Sequence, residues 1–308
     1  MNVSTTTTIA PDYTDYRLIT PLSMSFAFIA VIIALIILIL VLSTKQLHTV
    51  THLLVCNTCI SSILYCFSQC NNYIYLLFFP FYSSDISCQW RAYFSYMSIV
   101  AVVYSYLLQA ISRFFFAVLS TKYRWLTSFK THFIMIFINW IIVIIVPLPS
   151  VLTKDIYFRP GSLCWIPIKF ILHIGYSIFA YYLIPVSIIV AIYISIYLRI
   201  RRTTTTTLNQ GSQRKTNRDL EVLRNIIILF AIYICGATPS LFYMLSSVDI
   251  FYSIGIVSVS VAVAVEKLCS ILLDREIRKT VSRVICRSTT PVVPMTAYTN
   301  TILNRTIQ

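Results

Sequence analysis

Apolar residues run along this chain in seven long blocks, at 22–43, 51–79, 87–116, 129–152, 168–198, 222–246 and 250–273, parted by polar stretches. A helix needs about 20 apolar residues to cross the hydrocarbon of a bilayer, so each block predicts one spanning helix. The second and third are long enough to tilt or to project into the interface. The seventh contains Glu266 and Lys267 and is the least regular. The pattern predicts an all-α membrane protein, a seven-transmembrane helix bundle over 22–273. After it, "REIRKTVSRVIC" places Ile277, Val281, Val284 and Ile285 on one stripe of a basic helix. Such a stripe suits a helix lying in a membrane surface, so 274–287 is expected as a short amphipathic helix and 288–308 as a polar cytoplasmic tail.

Residues 1–21 are polar, threonine-rich and lack the basic start of a secretory leader. The first apolar block is therefore expected to be the first span and 1–21 an extracellular tail. Asn2-Val3-Ser4 is a glycosylation acceptor on that side of a membrane. The basic residues set the orientation. With the N-terminus outside, only Arg17, Arg91, Lys154, Arg159 and Lys169 face out. Lys267 lies in a span, and all other Lys and Arg fall on the cytoplasmic side, as the positive-inside rule requires. The net charge of +14 then faces anionic lipid and an intracellular partner, and nucleic acid is not needed to explain it.

Composition removes several function classes. Hydrophobic residues make up 58% of the 308 and charged residues 11%, against about 25% charged in soluble domains. With 5 glycines there is no phosphate-cradling loop, and no HExxH metal spacing occurs. Cys56 and Cys59 form a pair, but no second pair follows in the apolar run. No metal, cofactor or enzymatic activity is expected.

One charge needs a reason. Arg113 ends a greasy run, "LLQAISRFFF", where burial would be costly. Cys88 precedes the triplet Ser112-Arg113-Phe114, and Cys164 stands alone in the loop after the fourth block. Trp140 and Pro147 lie in the fourth block. Pro185 with Tyr193 lies in the fifth, Pro239 in the sixth, and Asp219 stands upstream of Pro239. In these residues and their joint spacing the chain resembles the rhodopsin-like G-protein-coupled receptors over nearly its whole length.

The resemblance implies a Cys88–Cys164 disulfide, in keeping with an oxidising exterior. It implies that Arg113 pairs with Asp219 when idle and meets the G-protein tail when active, with Tyr193 as an activation tyrosine. A membrane-edge anchor is the alternative for Arg113. Cys286 at the end of the amphipathic helix is a palmitoylation candidate, or else an unmodified cysteine.

The chain also departs from the family pattern. Ser112 replaces the acid before the arginine. In "LLVCNTCISSIL", Asn57 fits the second-helix motif but Ser62 takes the aspartate position, so no sodium site is expected. Ala237 replaces the sixth-helix tryptophan. Glu266-Lys267 falls where the family has Asn-Pro. Adjacent helical residues diverge by about 100°. The two charges are therefore expected to point apart, with Glu266 seeking Ser62, Asn57 or water; the alternative is a neutralised pair near an inner water cavity.

Ser95 stands where amine receptors carry an aspartate, and Ser260 where opsins carry lysine, so neither a biogenic amine nor retinal is favoured. What remains is a peptide, a lipid or a small chemosensory molecule, with Ser95, Tyr96, Trp165 and Tyr176 as pocket candidates. A plasma-membrane receptor that binds such a ligand and activates a heterotrimeric G protein is the reading the resemblance implies. Arrestin and kinases are possible partners at the Thr/Ser-rich loop and tail. A seven-helix transporter or channel, and a non-signalling scaffold or decoy, are the alternatives.

Overall fold

The structure is a computed structural model describing residues 16–79, 81, 84–119, 123–153, 155–160, 162–204, 210–246 and 248–289; the side chains of 200–204, 210–223, 249 and 284–289 are not described. Asn2, most of the 288–308 tail and the side chains of Asp219 and Cys286 therefore lie outside it.

Among the described residues, seven helices are long and apolar enough to span a membrane: Tyr16–Ser43, Val50–Phe78, Asp85–Leu119, Phe129–Leu152, Ile171–Arg199, Arg224–Ser246 and Ile250–Leu273. The first begins at Tyr16, earlier than the apolar block that predicts it. Tyr16 is held there by an edge-on contact with the Tyr252 ring of the seventh span, centroids 6.4 Å apart.

The helices start where the sequence offers caps. The hydroxyls of Thr49, Ser84 and Ser128 accept from the N–H of His52, Ser87 and Thr131 at the starts of the second, third and fourth spans, satisfying donors that have no partner within the helix. The prolines are accommodated in two ways. Pro185 follows a widened turn at Phe179–Leu183, which relieves the clash of its ring with the carbonyl one turn back. Around Pro239 the carbonyls take side-chain donors: Thr238 Oγ1 to Ile234 O at 2.9 Å and Ser258 Oγ to Gly236 O at 2.7 Å.

The first span packs on the second and seventh, the third on the second, fourth and fifth, and the sixth on the seventh. That last approach needs glycine. A Cβ on Gly236 would overlap Ala262, and one on Gly255 would overlap the Ser240 hydroxyl. Phe28, Ile39, Phe67, Phe133, Phe137 and Leu172 point outward, as lipid-facing residues do. Inside, Ala30, Tyr106, Ile189, Phe230, Tyr233 and Val263 form the central cluster.

Polar side chains join the second span to its neighbours. Asn72 Nδ2 donates to Ser95 Oγ at 2.6 Å, Gln109 Nε2 to Thr58 Oγ1 at 2.6 Å, and Trp140 Nε1 to Asn57 Oδ1 at 3.0 Å. In hydrocarbon such bonds between helices replace the water the groups would otherwise seek.

The helix after the bundle, Arg275–Thr289, docks by its stripe. Ile277 packs with Ala34, Ile37, Val41 and Leu47, and Val281 lies against the same cluster. Asp274 caps it, accepting from the N–H of Glu276 and Ile277. His52 Nε2 lies 3.4 Å from Asp274 Oδ2. Burial pushes the Asp274 carboxyl up, but the facing His52 and the two N–H groups outweigh it and hold it below its ordinary value.

Candidate functional site

One end of the bundle carries the disulfide. Cys88, in the first turn of the third span, is bonded to Cys164, so the loop between the fourth and fifth spans is tied across the helix ends. The residues after Cys164 then turn over the bundle. Ile166 N–H donates to the Tyr96 hydroxyl at 3.1 Å, and the Trp165 ring packs edge-on to Tyr96 with centroids 5.4 Å apart.

Beneath this loop lies a cavity of about 80 Å³ walled by Tyr65, Gln69 and Tyr73 of the second span, Tyr96 of the third, Trp165 and Ile166 of the loop, and Tyr243, Met244 and Tyr252 of the sixth and seventh. No charged side chain lines it among the described residues.

Of the pocket residues expected from sequence, Tyr96 and Trp165 form its wall. Ser95 and Tyr176 do not. Ser95 turns to the second span, where it accepts from Asn72. Tyr176 is over a third exposed and donates its hydroxyl to Val146 O at 2.7 Å, which holds it against the fourth span. Sequence reasoning missed Tyr65, Gln69 and Tyr73. Their spacing, one helical turn at a time, puts them on one face and was the signal that could have found them.

Beside the cavity, His173 Nδ1 lies 2.9 Å from Asp155 Oδ2 and 3.3 Å from Thr153 Oγ1. The hydrogen bond with His173 holds the Asp155 carboxyl below its ordinary value.

Arg113 stands at the opposite end, half-buried, donating to Thr51 Oγ1 of the second span at 2.8 Å. Ser112, in the acid's place, is buried and bonded to His132 Nε2 of the fourth span at 2.8 Å. Tyr193 is buried in the central cluster. Whether Asp219 meets Arg113 lies outside the described side chains.

The seventh span corrects one expectation. Glu266 and Lys267 do not point apart. Lys267 Nζ lies 2.9 and 3.2 Å from the two Glu266 oxygens, and both residues are almost wholly buried, at 2% and 1% exposure. Their Cβ atoms diverge, but the long side chains curl until their ends meet. Buried away from bulk solvent, that attraction is little screened. Glu266 finds neither Ser62 nor Asn57. Ser270 Oγ donates to it at 3.4 Å, Asn57 accepts from Trp140, and the buried Ser62 hydroxyl has no partner among the described residues. No group of three His, Cys, Asp or Glu able to hold a metal is found among the described residues.

Seven spans, a loop pinned to the third helix over a cavity, and an arginine at the far end of that helix are joined by a direct match. Residues 34–304 fit the family described as 7 transmembrane receptor (rhodopsin family). The chain belongs to that family. No curated protein matches it. As a rhodopsin-family member it is a multi-pass membrane protein with the general signalling role of these receptors, which are generally not enzymes. Its departures from the family pattern have structural content: Ser112 trades a local clamp on Arg113 for a tie to the fourth span, and Glu266-Lys267 supplies a buried ion pair within the seventh span.

Proposed function

We propose that this receptor sits in the plasma membrane with its N-terminus outside, takes an extracellular peptide, lipid or small chemosensory molecule at the disulfide end, and activates a heterotrimeric G protein at the arginine end. The observation that carries the reading is one helix. The third span holds Tyr96 in the cavity wall and Arg113 at its other end, so a shift at the cavity is transmitted along a rigid element. The basic residues gathered on the arginine side support the orientation. A tag at residue 1 should be reached by antibody on intact cells and one at residue 308 should not; the reverse pattern would overturn it. Asn2 is the expected glycan site, and the Thr-rich loop, the tail and Cys286 are the expected places for kinases, arrestin and a lipid anchor.

On this reading Asp219 restrains Arg113 in the idle receptor. Asp219→Asn should raise basal nucleotide exchange several-fold at most, since an ion pair near water is worth about 1 kcal/mol. Arg113→Ala should lower exchange, and Glu221→Gln should change little. Unchanged basal activity in Asp219→Asn, in a receptor that signals, would return Arg113 to the role of membrane-edge anchor bonded to Thr51.

A further inference from the structure

We propose that the cavity takes an uncharged ligand that presents a hydrogen-bond acceptor to Trp165 and Gln69. The proposal rests on the receptor reading above and names the chemistry of its ligand. Three observations carry it. First, the wall bears no charge among the described residues, so an ionic group would leave water without meeting a counter-ion, a steep desolvation penalty. Second, several polar groups of the wall are already engaged. The Tyr96 hydroxyl accepts from Ile166 N–H, the Ser177 hydroxyl donates to His173 O, and the Tyr73 hydroxyl accepts from Ser23.

Third, two buried N–H donors of the wall are left over. Trp165 Nε1 and Gln69 Nε2 are buried with no partner among the described residues, and Gln69 is only 2% exposed. Buried donors are nearly always bonded in folded proteins. An indole N–H can only donate, so the missing partner is an acceptor; the Gln69 amide can turn to suit.

Size adds a constraint. At about 80 Å³ the cavity is smaller than the roughly 150 Å³ that holds benzene. The ligand enters by a slim end, or lifts the Trp165 loop. The competing choice is an anion drawn by a cation outside the cavity wall, such as Arg91, whose guanidinium lies 4.1 Å over the Tyr75 ring.

The test uses full-length receptor in nanodiscs and four probes of matched length: heptane, methyl pentyl ketone, heptanoate and heptylammonium. Thermal unfolding is followed as each is titrated. The ketone should raise the midpoint at the lowest concentration. Trp165→Phe and Gln69→Leu should each weaken its apparent affinity about fivefold, the order expected for one neutral hydrogen bond, and lower the preference for the ketone over heptane. Each variant's midpoint without probe reports whether it folds, and either variant suffices. A stronger response to heptanoate or heptylammonium, no response to the ketone, or ketone affinity unchanged in a folded variant would overturn the proposal.

Unfolding does not require a G protein. A receptor that prefers the ketone but drives no exchange sinks the signalling reading alone. One that drives exchange but prefers a charged probe sinks the ligand class alone.

Discussion

Lys267→Met should destabilise the bundle by about 3–5 kcal/mol, one of the two largest effects expected of any substitution considered. The ammonium and the Glu266 carboxylate are buried together and their ends touch. Removing one partner leaves the other charge without compensation, which is what makes broken buried pairs costly. Removing both at once is different. The Glu266→Gln/Lys267→Met double variant should recover most of the loss, since no charge remains to be stranded and the volumes are kept. The difference between the double and the sum of the singles measures the coupling. Unfolding midpoints in detergent decide it: a Lys267→Met protein as stable as the parent would mean that the pair is not buried as described.

The second large effect is expected at the disulfide. Cys88→Ser or Cys164→Ser should cost about 2–5 kcal/mol, because the cross-link restricts the unfolded chain. The consequence reaches the cavity. Trp165 and Ile166 directly follow Cys164 and form part of its wall, so freeing the loop opens the site as well as lowering stability. Both variants should show reduced surface levels and lower midpoints. Wild-type values for both quantities in both variants would contradict the link.

These two sites also show what the sequence could and could not tell. The spans were legible because lipid demands long apolar helices, and that demand is written residue by residue. The Cys88–Cys164 bond was legible through a resemblance carried by spacing, with one cysteine in the loop to complete it. Arg113 was legible as a functional suspect because a charge in a greasy run needs a reason, yet its bond to Thr51 was not, since nothing in a single chain says which helix lies beside it. For Glu266 and Lys267 the sequence left two readings open, because adjacent helix positions give backbone direction but not side-chain reach; the ends of the two long side chains meet. The cavity was only half legible. Trp165 stood out beside its cysteine, and Tyr96 through its place in the third span. Spacing puts Tyr65 and Tyr73 on one helix face, but among 21 tyrosines nothing marked that face as sharing a wall with Tyr243 and Tyr252 until the second, sixth and seventh spans were brought together.

We propose that this rhodopsin-family chain is a working receptor and not a seven-helix scaffold. The most direct measurement is guanine-nucleotide exchange on purified heterotrimers representing each Gα class, driven by increasing amounts of receptor in nanodiscs. Exchange on at least one class should rise in proportion to receptor and fall to the receptor-free rate with Arg113→Ala folded to the parent's midpoint. Exchange that stays at the receptor-free rate for every class at every receptor dose, from protein that unfolds cooperatively and keeps its disulfide, would contradict it.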